Sequence, residues 1–372
     1  MSFLGPASTI GIIGGGQSAF LLTQQALKMG FKVVILAKKA ALANHENVQL
    51  IVGSHHQVAD LQNLFSQSDL VIYDNEDLHL DLLDQIEGRE KLVQGTQILD
   101  LVQDRYLEKS FLNNHNLNVV PFAAVVDDQD LQKTVQEIGF PCILKPIQKD
   151  VSAVDGKVFY NQDEIDAYHI LQGSFILESL LDIQQEFVVL ASKDEHGQIA
   201  TYPVVQLTSQ NRWAHTALIN PQFNSILQGE IKEIAQTIAK NVNFRGLIAI
   251  KLCTTKAQAL YVERIYLGTV FAANIYQAVT AYSQEELFLR SVCSWPVPNL
   301  QPLIAGCNLV VTKDNLDLAI TELQNHPQWQ LNLIPEKLQH DCLNPYLGVV
   351  TVLGTDYQKL QHYVNVTKFW KV

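Results

Sequence analysis

The sequence predicts a protein of the α/β class with more than one domain. From Thr9 to Ile86, β-branched apolar runs alternate with amphipathic helical patterns, which is typical of a parallel sheet covered by helices. The alternation starts again after residue 96, whereas the stretch from Trp295 is rich in proline and short strands. A chain of 372 residues can form two or three domains. We therefore predict an α/β domain over 1–96, a second α/β domain with two subdomains over 97–294, and a small β-rich lobe over 295–372.

The composition describes a folded protein without a dedicated nucleic-acid surface. Apolar residues make up 47% of the chain and charged residues 17%, so a core can form. The formal net charge of −12 disfavours binding to nucleic acid, because that binding depends on clustered Lys and Arg. A local phosphate site remains compatible with this charge.

Cysteine usage and hydropathy favour the cytoplasm. The five cysteines are scattered, odd in number and without a C-x-x-C pair, which indicates neither a disulfide framework nor a zinc site. The first residues lack the pattern of a signal peptide, and no apolar stretch approaches the length of a membrane span. We therefore expect a cytoplasmic protein with no membrane partner.

A βαβ unit opens the chain. Strand Thr9–Ile13, helix Gln17–Met29 and strand Phe31–Leu36 enclose a G-x-G-x-x-A turn at Gly14 to Ala19. The second strand ends in Ala37-Lys38-Lys39, where a dinucleotide-binding fold would place an acidic residue for the ribose. This weakens an NAD interpretation. The turn fits another phosphate or a purely structural role, and we take Gly15, Gly16 and Gln17 as candidate substrate contacts.

Two acidic residues follow the fourth predicted strand. After strand Val48–Gly53 and helix Val58–Ser66, strand Asp69–Tyr73 is followed by Asp74 and Glu76, and then by a helix over Leu78–Ile86. Open α/β sheets bind ligands at the carboxyl ends of their strands, so Asp74 and Glu76 are candidate substrate contacts. They equally fit acidic residues at a helix N-terminus, where the helix dipole favours negative charge.

The most informative stretch of the chain is Gly139–Lys157. An apolar run, Pro141–Leu144, brings Lys145 to a strand end, and a loop then closes on Asp155, Gly156 and Lys157. Lysines placed in this way can contact phosphate oxygens. Further on, Glu178 ends a short apolar strand and Glu186 opens another, Phe187–Ala191, an arrangement that can hold an adenine edge and a ribose hydroxyl. The alternative is that Lys145 and Glu186 are ordinary charges at strand ends.

The rest of the second unit continues the α/β pattern. Its predicted helices are 96–112, Gln129–Ile138, Asp163–Tyr168 and Glu230–Asn241, and its predicted strands are Val119–Phe122, Ile199–Leu207, Ala214–Ile219, Gly246–Leu252 and Ala259–Arg264. The terminal lobe contains the predicted strands Asn308–Thr312 and Val349–Leu353 and the predicted helix Asn315–Asn325. The histidines, including His55-His56, His115 and His196, lack helical i, i+4 pairing, so we expect surface or core roles for them.

The order and spacing of these parts resemble the ATP-grasp superfamily and, within it, the N5-carboxyaminoimidazole ribonucleotide synthases, also known as the ATPase subunit of phosphoribosylaminoimidazole carboxylase. The resemblance spans nearly the whole chain. It is carried by IGIIGGGQ (10–17), DLVIYDNED (69–77), QDRYLEKSFL (103–112), IGFPCILKP (138–146), ILESLLDIQQEFVVLASKD (176–194), ATYPVV (200–205), FRGLIAIKL (244–252), ALYVERI (259–265) and SQEELFLRSV (283–292).

The resemblance implies an ATP-grasp fold with a Rossmann-like domain before it and a cytoplasmic homodimer. The implied reaction begins with attack of bicarbonate on the γ-phosphate of ATP with Mg²⁺, and the carboxyphosphate formed then carboxylates the amine of aminoimidazole ribonucleotide. The implied nucleotide contacts are Arg105 and Lys145 to phosphates, Asp155, Gly156 and Lys157 at the end of the phosphate loop, Glu178, Ser179, Leu180 and Leu181 at the adenine hinge, Glu186 at the ribose, and Glu263.

The metal and substrate positions depart from the family pattern. One metal carboxylate is replaced by Lys251, and the second is kept as Glu263 beside Val262, where the family has Asn. A lysine at this position would oppose Mg²⁺ by like charge. Further departures are Gly268–Ala273 in place of a His-rich loop, Ile265-Tyr266-Leu267, Leu207-Thr208-Ser209, Ala19-Phe20, Pro345-Tyr346, and Gln148–Val154 in place of a glycine-rich loop.

These departures predict a divergent synthase-like protein whose catalytic activity is weak or lost. Phosphoryl transfer needs cations to stabilise spreading negative charge, and most of the groups that supply them are replaced. Two alternatives stay open: a non-catalytic nucleotide-binding or regulatory protein, and an ATP-grasp ligase for another acid and amine in which Lys251 meets a substrate carboxylate. ATP or ADP is the expected ligand in each case, with aminoimidazole ribonucleotide and bicarbonate as candidate substrates.

Overall fold

A computed structural model describes residues 3–38, 45–74, 76–149, 156–170, 173–210, 213–335, 346–367 and 370. Two sites singled out in the sequence, Asp155 with the preceding 150–154 and Pro345, lie outside the described residues.

The first sheet is parallel, as predicted for the opening βαβ pattern. Its order is β3-β2-β1-β4, which places the first strand in the middle. The strands are β1 (Thr9–Ile13), β2 (Lys32–Ala37), β3 (Val48–Val52) and β4 (Leu70–Tyr73), and the helices are α1 (Gln17–Lys28), α2 (Val58–Ser66) and α3 (Leu80–Leu83). A 3-10 turn follows at Arg89–Lys91. The carboxyl ends of β1 and β4 therefore lie side by side.

Helix α3 is shorter than the predicted Leu78–Ile86. The Gln103 side-chain amide donates to the backbone carbonyls of Glu76 and Leu78, at 2.6 and 2.8 Å. These bonds hold the chain extended through His79, whose ψ is 115°. The helix therefore begins only at Leu80.

The long predicted helix over 96–112 is two helices, α4 (Gln97–Gln103) and α5 (Arg105–Asn114). The break lies at Asp104, which has extended backbone angles and caps α5 by accepting bonds from the N–H groups of Tyr106 and Leu107, both at 2.8 Å. Aspartate competes with helical hydrogen bonds in a helix interior and is favoured as an N-cap, which explains the break.

A second, antiparallel sheet has the order β5-β8-β6-β7. It comprises β5 (Phe122–Val125), β6 (Cys142–Pro146), β7 (Lys157–Phe159) and β8 (Phe175–Ser179), with α6 (Asp128–Ile138) and α7 (Gln162–Asp166) beside it. This sheet carries Lys145 on β6 and Glu178 on β8.

Nine described strands form the largest sheet, in the order β14-β13-β9-β11-β12-β15-β17-β16 with β10 paired to β9. The strands are β9 (Ile183–Lys193), β10 (Ile199–Thr201), β11 (Val205–Gln210), β12 (Trp213–Ile219), β13 (Gly246–Thr255), β14 (Leu260–Leu267), β15 (Ala305–Thr312), β16 (Gln330–Leu333) and β17 (Tyr346–Gly354). The helices are α8 (Ser225–Asn241), α9 (Tyr276–Val279), α10 (Gln284–Val292), α11 (Leu316–Asn325) and α12 (Tyr357–Asn365), with a 3-10 turn at Phe271–Ile275.

The large sheet is continuous across the predicted boundary at residue 295. Strand β12 pairs with β15 in antiparallel register from Thr216↔Leu309 to Ile219↔Gly306. Residues 305–311 of β15 are all buried, so this strand needs cover on both faces and a partner on each edge. The division into three domains stays a prediction, but the strands of the third segment extend the sheet of the second.

The described helices are all too short or too polar to cross a bilayer. Four of the five cysteines, Cys142, Cys253, Cys293 and Cys307, lie among the described residues and are buried thiols.

Candidate functional site

The first half of the candidate site is a buried carboxylate between two lysines. Glu178 on β8 lies 2.9 Å from Nζ of Lys145 on the neighbouring β6, and 3.6 Å from Nζ of Lys109 on α5. Adjacent antiparallel strands place Lys145 and Glu178 together, with the register Lys145↔Ile176 and Ile143↔Glu178. Burial alone would raise the pKa of the Glu178 carboxyl, but the two lysines lower its pKa below the ordinary value. Glu178 is therefore an anion that orients Lys145.

Gly156 lies against the strand that carries Lys145. Its φ is +92°, and a Cβ atom at this position would lie 2.5 Å from the carbonyl oxygen of Leu144 and 2.7 Å from Cγ of Lys145. Only glycine fits both the backbone angle and the space. The next residue, Lys157, pairs with Leu144 across β6 and β7, and its side chain is exposed. The structure thus places Gly156 and Lys157 beside Lys145, and their implied phosphate contacts stay a prediction.

Arg105 supports the end of β6. Its Nη1 donates to the carbonyl oxygens of Pro146 and Gln148 at 2.8 and 3.2 Å, and its backbone N–H donates to the carbonyl of Ile147. The guanidinium therefore fixes the backbone directly after Lys145. Its implied contact with a phosphate stays a prediction.

The predicted hinge connects β8 to the large sheet. The N–H groups of Ser179 and Leu180 donate to the carbonyls of Pro121 and Pro141, and Leu180 and Leu181 lead directly into β9. The prediction that Glu186 opens the next strand is wrong, since β9 begins at Ile183. The reason is that β13 is long enough to pair with β9 as far as Ile183↔Thr255, which places Glu186 inside the strand.

The second half of the site is a lysine held by two carboxylates. Nζ of Lys251 on β13 lies 2.5 Å from Oε1 of Glu186 on β9 and 3.2 Å from Oε2 of Glu263 on β14. Glu186 also accepts a hydrogen bond from the hydroxyl of Ser209 on β11. The register of β13 and β14 shifts between Lys251↔Arg264 and Leu252↔Val262, so Glu263 is the extra residue of a β-bulge. A bulge re-aims side chains locally, and here the Glu263 carboxylate lies beside Lys251.

The ionic groups around Lys251 do not fit a pair of Mg²⁺ ions. Burial alone would lower the pKa of the Lys251 ammonium, but Glu263 and Glu186 raise it well above its ordinary value. The group is therefore a fixed cation. Mg²⁺ in nucleotide sites is bound by one or two carboxylates together with phosphate oxygens, and here both carboxylates already surround a positive charge.

The predicted substrate residues lie at the carboxyl edge of the first sheet. A Cβ atom at Gly14, whose φ is +119°, would overlap Oδ1 of Asp74, and one at Gly16 would lie 3.6 Å from Oδ2. A Cβ atom at Gly15 would instead meet Ala37 on β2 at 2.6 Å. The structure therefore brings Asp74 to the glycine turn. Glu76 faces elsewhere, since its Oε2 accepts a bond of 2.8 Å from Arg264 of β14.

Aromatic side chains cover the region next to this turn. Phe271 stacks on Tyr346 with ring centroids 4.4 Å apart. The Gln17 side-chain amide donates to the carbonyl of Tyr346 at 3.5 Å. The first turn, the 268–273 segment and β17 therefore meet, with an aromatic stack in place of charged groups.

Two family models match the chain, one after the other. The ribonucleotide synthetase preATP-grasp domain matches residues 7–103, and the ATP-grasp domain matches residues 110–266. The chain belongs to the ATP-grasp superfamily. The ATP-grasp match contains Lys145, Glu178, Glu186, Lys251 and Glu263, so both halves of the site lie within it.

Curated relatives cover almost the entire chain. The N5-carboxyaminoimidazole ribonucleotide synthase of Staphylococcus epidermidis strain RP62A is 26% identical over 364 residues, which are 96% of this chain and 95% of the relative. The synthase of Staphylococcus aureus strain COL is 25% identical over 364 residues, with 95% of each chain covered. The ATP-grasp chain is therefore similar to these synthases over their full length.

Solved structures show the same fold. An ADP complex of an N5-carboxyaminoimidazole ribonucleotide synthetase matches with a TM-score of 0.89 and 21% identity, and covers 100% of this chain and 99% of the other. The Staphylococcus aureus synthetase with ADP matches at 0.87 and 24%, with 99% and 98% covered. The Aspergillus clavatus synthase with ADP and 5-aminoimidazole ribonucleotide matches at 0.84 and 16%, with 97% and 98% covered.

Sequence reasoning missed the charged face of helix α5 in this ATP-grasp protein. Glu108 and Lys109 are buried, whereas Tyr106 and Leu107 are exposed. Glu108 accepts bonds of 2.6 Å from Nζ of Lys149 and from the backbone N–H of Ile265, and Lys109 approaches Glu178. The available signal was weak: Glu108 and Leu112 have the i, i+4 spacing of one helix face.

Proposed function

We propose that this chain is a divergent protein of the N5-carboxyaminoimidazole ribonucleotide synthase type, related to purine biosynthesis, that binds ATP or ADP and has weak or no Mg²⁺-dependent ligase activity. The observation that carries the proposal is the position of Lys251, 2.5 and 3.2 Å from the carboxylates of Glu186 and Glu263. The same proposal includes a cytoplasmic homodimer, with aminoimidazole ribonucleotide and bicarbonate as the candidate substrates.

The groups around Lys145 support nucleotide binding. Its ammonium is partly exposed and held by the anionic Glu178, so it is available to phosphate oxygens at little cost in side-chain entropy. Gly156 packs directly against the strand that carries Lys145. Solved relatives with the same fold contain ADP.

The groups around Lys251 support the loss of metal-dependent chemistry. Transfer of a γ-phosphoryl group requires cations that neutralise the charge developing on its oxygens. Lys251 supplies a single positive charge, and the two carboxylates beside it outweigh that charge. The cluster therefore has no positive charge left to stabilise a phosphoryl group in transfer. That arrangement favours binding over turnover.

The position of Lys251 also weighs against a ligase for another acid. In such an enzyme, the lysine would bind the carboxylate of the substrate, and its ammonium would have to be available. Glu186 and Glu263 lie within ion-pair distance instead, and Ser209 completes the cluster through Glu186. A nucleotide-binding regulatory protein is therefore the preferred second candidate.

Isothermal titration of the purified protein with ADP, with and without Mg²⁺, tests the proposal. We expect binding whose Kd changes by no more than about twofold on addition of Mg²⁺, and weakens about tenfold or more in Lys145→Met, because a charged hydrogen bond to phosphate is lost. Lys256→Met is the matched control, since Lys256 forms an exposed ion pair with Asp182 in the same domain.

Two results would contradict the proposal in different ways. Binding that strengthens about tenfold with Mg²⁺ would mean that a metal site survives. An absence of heat and of thermal stabilisation at high ADP concentration would mean that the nucleotide cleft is lost. ATP consumption dependent on aminoimidazole ribonucleotide and bicarbonate, at rates typical of enzymes, would show that the ligase reaction is intact.

A further inference from the structure

Two histidines and an aspartate converge outside the ATP-grasp cleft. The Nε2 atoms of His55 and His56 lie 3.2 and 3.3 Å from the same oxygen, Oδ2 of Asp77. One potential ligand atom from each of the three residues lies within 4.8 Å of the others. The sequence predicted surface or core roles for these histidines because they lack helical spacing. The cluster arises instead from two loops at the carboxyl edge of the first sheet.

The loop that carries the histidines is held by its own hydrogen bonds. The N–H of Ser54 donates to Oδ2 of Asp60 at 2.8 Å, the N–H of Gln57 donates to the carbonyl of Ser54, and the N–H of His56 donates to the Ser54 hydroxyl at 3.3 Å. These bonds fix both ends of the two-histidine turn. The imidazole rings are consequently close, with centroids 4.2 Å apart.

The aspartate is held just as firmly. The Gln103 side chain donates to the carbonyls of Glu76 and Leu78, the residues on either side of Asp77. The neighbouring carboxylate of Glu76 is paired with Arg264. The Asp77 carboxylate, which is about half exposed, points instead to the histidines.

The three groups have the chemistry of a metal centre. The side chain of His55 is only 12% exposed and that of His56 30%, and the Nε2 atoms of both face the Asp77 carboxylate. Neutral imidazole and carboxylate ligands suit first-row transition ions such as Zn²⁺, and three protein ligands leave positions for water. The ring of His79 lies beside His56, with centroids 4.9 Å apart, and is the nearest candidate for a further ligand.

We propose that His55, His56 and Asp77 form a binding site for a divalent transition ion of the Zn²⁺ type. The ion would join the β3–α2 loop to the segment after β4, and so fix the edge of the first sheet. A cavity of about 490 Å³, lined in part by Asp77, His79 and Gln103, adjoins the cluster and gives access from solvent. The site depends neither on nucleotide nor on the groups around Lys251.

Titration of the full chain, freed of metal by a chelator, with ZnCl₂ alone tests the proposal. We expect one equivalent of Zn²⁺ to bind and to raise the melting temperature. Co²⁺ should compete for the same site, and the bound Co²⁺ should show ligand-field absorption bands in the visible range. Mg²⁺ should not compete, because it prefers oxygen ligands. In His56→Ala and Asp77→Asn, Zn²⁺ affinity should fall about tenfold or more, since each variant removes one of three ligands.

His169→Ala is the matched control. His169 forms a similar 3.0 Å contact with Asp128, but this pair is exposed, and no third ligand lies beside it among the residues that the structure describes. Zn²⁺ affinity should not change in this variant. Equal loss in His169→Ala, unchanged affinity in both cluster variants, or no binding to the wild type would each overturn the proposal. The melting temperature without metal separates lost binding from lost folding.

Discussion

The Nζ atom of Lys251 lies 2.5 Å from Oε1 of Glu186, across two strands that are hydrogen-bonded neighbours in the large sheet. Both side chains are mostly buried, at 24% and 12% exposure. This ion pair, together with Glu263, puts a lysine between two carboxylates at the position of a predicted metal site. The lysine therefore has a structural role whether or not a nucleotide is bound.

Lys251→Met should destabilise the fold. The substitution keeps much of the side-chain volume but leaves Glu186 and Glu263 as two like charges with little solvent. Removing one partner of a fully buried pair costs about 3–5 kcal/mol, and because Lys251 is partly exposed we expect about 2 kcal/mol. Urea unfolding followed by circular dichroism measures the change.

The double variant Lys251→Met/Glu186→Gln is the decisive comparison. It removes one of the two stranded negative charges, so much of the lost stability should return. Lys256→Met, which breaks the exposed pair with Asp182, should not change the unfolding midpoint measurably. If Lys251→Met behaves like Lys256→Met, the cluster contributes nothing to stability.

The Glu178 carboxylate should make stability depend on pH in the acid range. Its pKa is lowered in the folded state, so the unfolded chain binds a proton more readily. The stabilisation is therefore fully present above the unfolded pKa and is lost as pH falls through the lower folded pKa. The free energy of unfolding should drop as pH falls below the ordinary range of a glutamate carboxyl, and this drop should be smaller in Glu178→Gln. Glu230→Gln, at an exposed position, should keep the wild-type dependence of the free energy of unfolding on pH. The same dependence in Glu178→Gln as in the wild type would contradict the lowered pKa of Glu178.

Glu108→Gln should be among the most harmful single changes on helix α5. It leaves the ammonium of Lys149 buried without its carboxylate partner, and it weakens the acceptor for the N–H of Ile265. We expect a loss of about 3–5 kcal/mol in the free energy of unfolding. Asp84→Asn, which breaks the exposed 2.6 Å pair with Arg89, should cost less than about 1 kcal/mol. Similar losses in the two variants would mean that burial does not govern the Glu108 pair.

The fold was predictable wherever one periodicity dominated. Strand β1 and helix α2 have the predicted bounds, because an apolar β-branched run and a repeating apolar face leave little choice. Helix ends set by side-chain hydrogen bonds were not predicted: the Gln103 amide, far along the chain, delays α3, and the local Asp104 cap divides α5 from α4. Both depend on side-chain bonds that periodicity does not record.

The candidate site was predictable in its residues but not in its contacts. Lys145 and Glu178 were singled out separately, yet only the register of β6 and β8 shows that they form a pair. The bulge at Glu263 determines that Lys251 is enclosed by carboxylates, and no pattern in the sequence signals a bulge without a glycine. The contact of Lys109 with Glu178 joins a helix to a strand 69 positions later (178 − 109) and is likewise tertiary.

Gly156→Ala should disturb the strand that carries Lys145. Two effects add: an alanine at φ +92° is strained, and its Cβ would lie 2.5 Å from the carbonyl oxygen of Leu144, which is backbone and cannot rotate away. We expect the free energy of unfolding to fall by about 2–4 kcal/mol, of which the left-handed backbone accounts for about 1–2 and the overlap for the rest.

Gly197→Ala is the control that isolates the backbone effect, since Gly197 has φ +76° and no atom lies within 4 Å of the position that its Cβ would take. Hydrogen exchange measured by mass spectrometry should show faster exchange in β6 and β7 for Gly156→Ala alone, and ADP affinity should fall with it. Equal effects of the two substitutions would show that the close approach of Gly156 to β6 does not shape the nucleotide cleft.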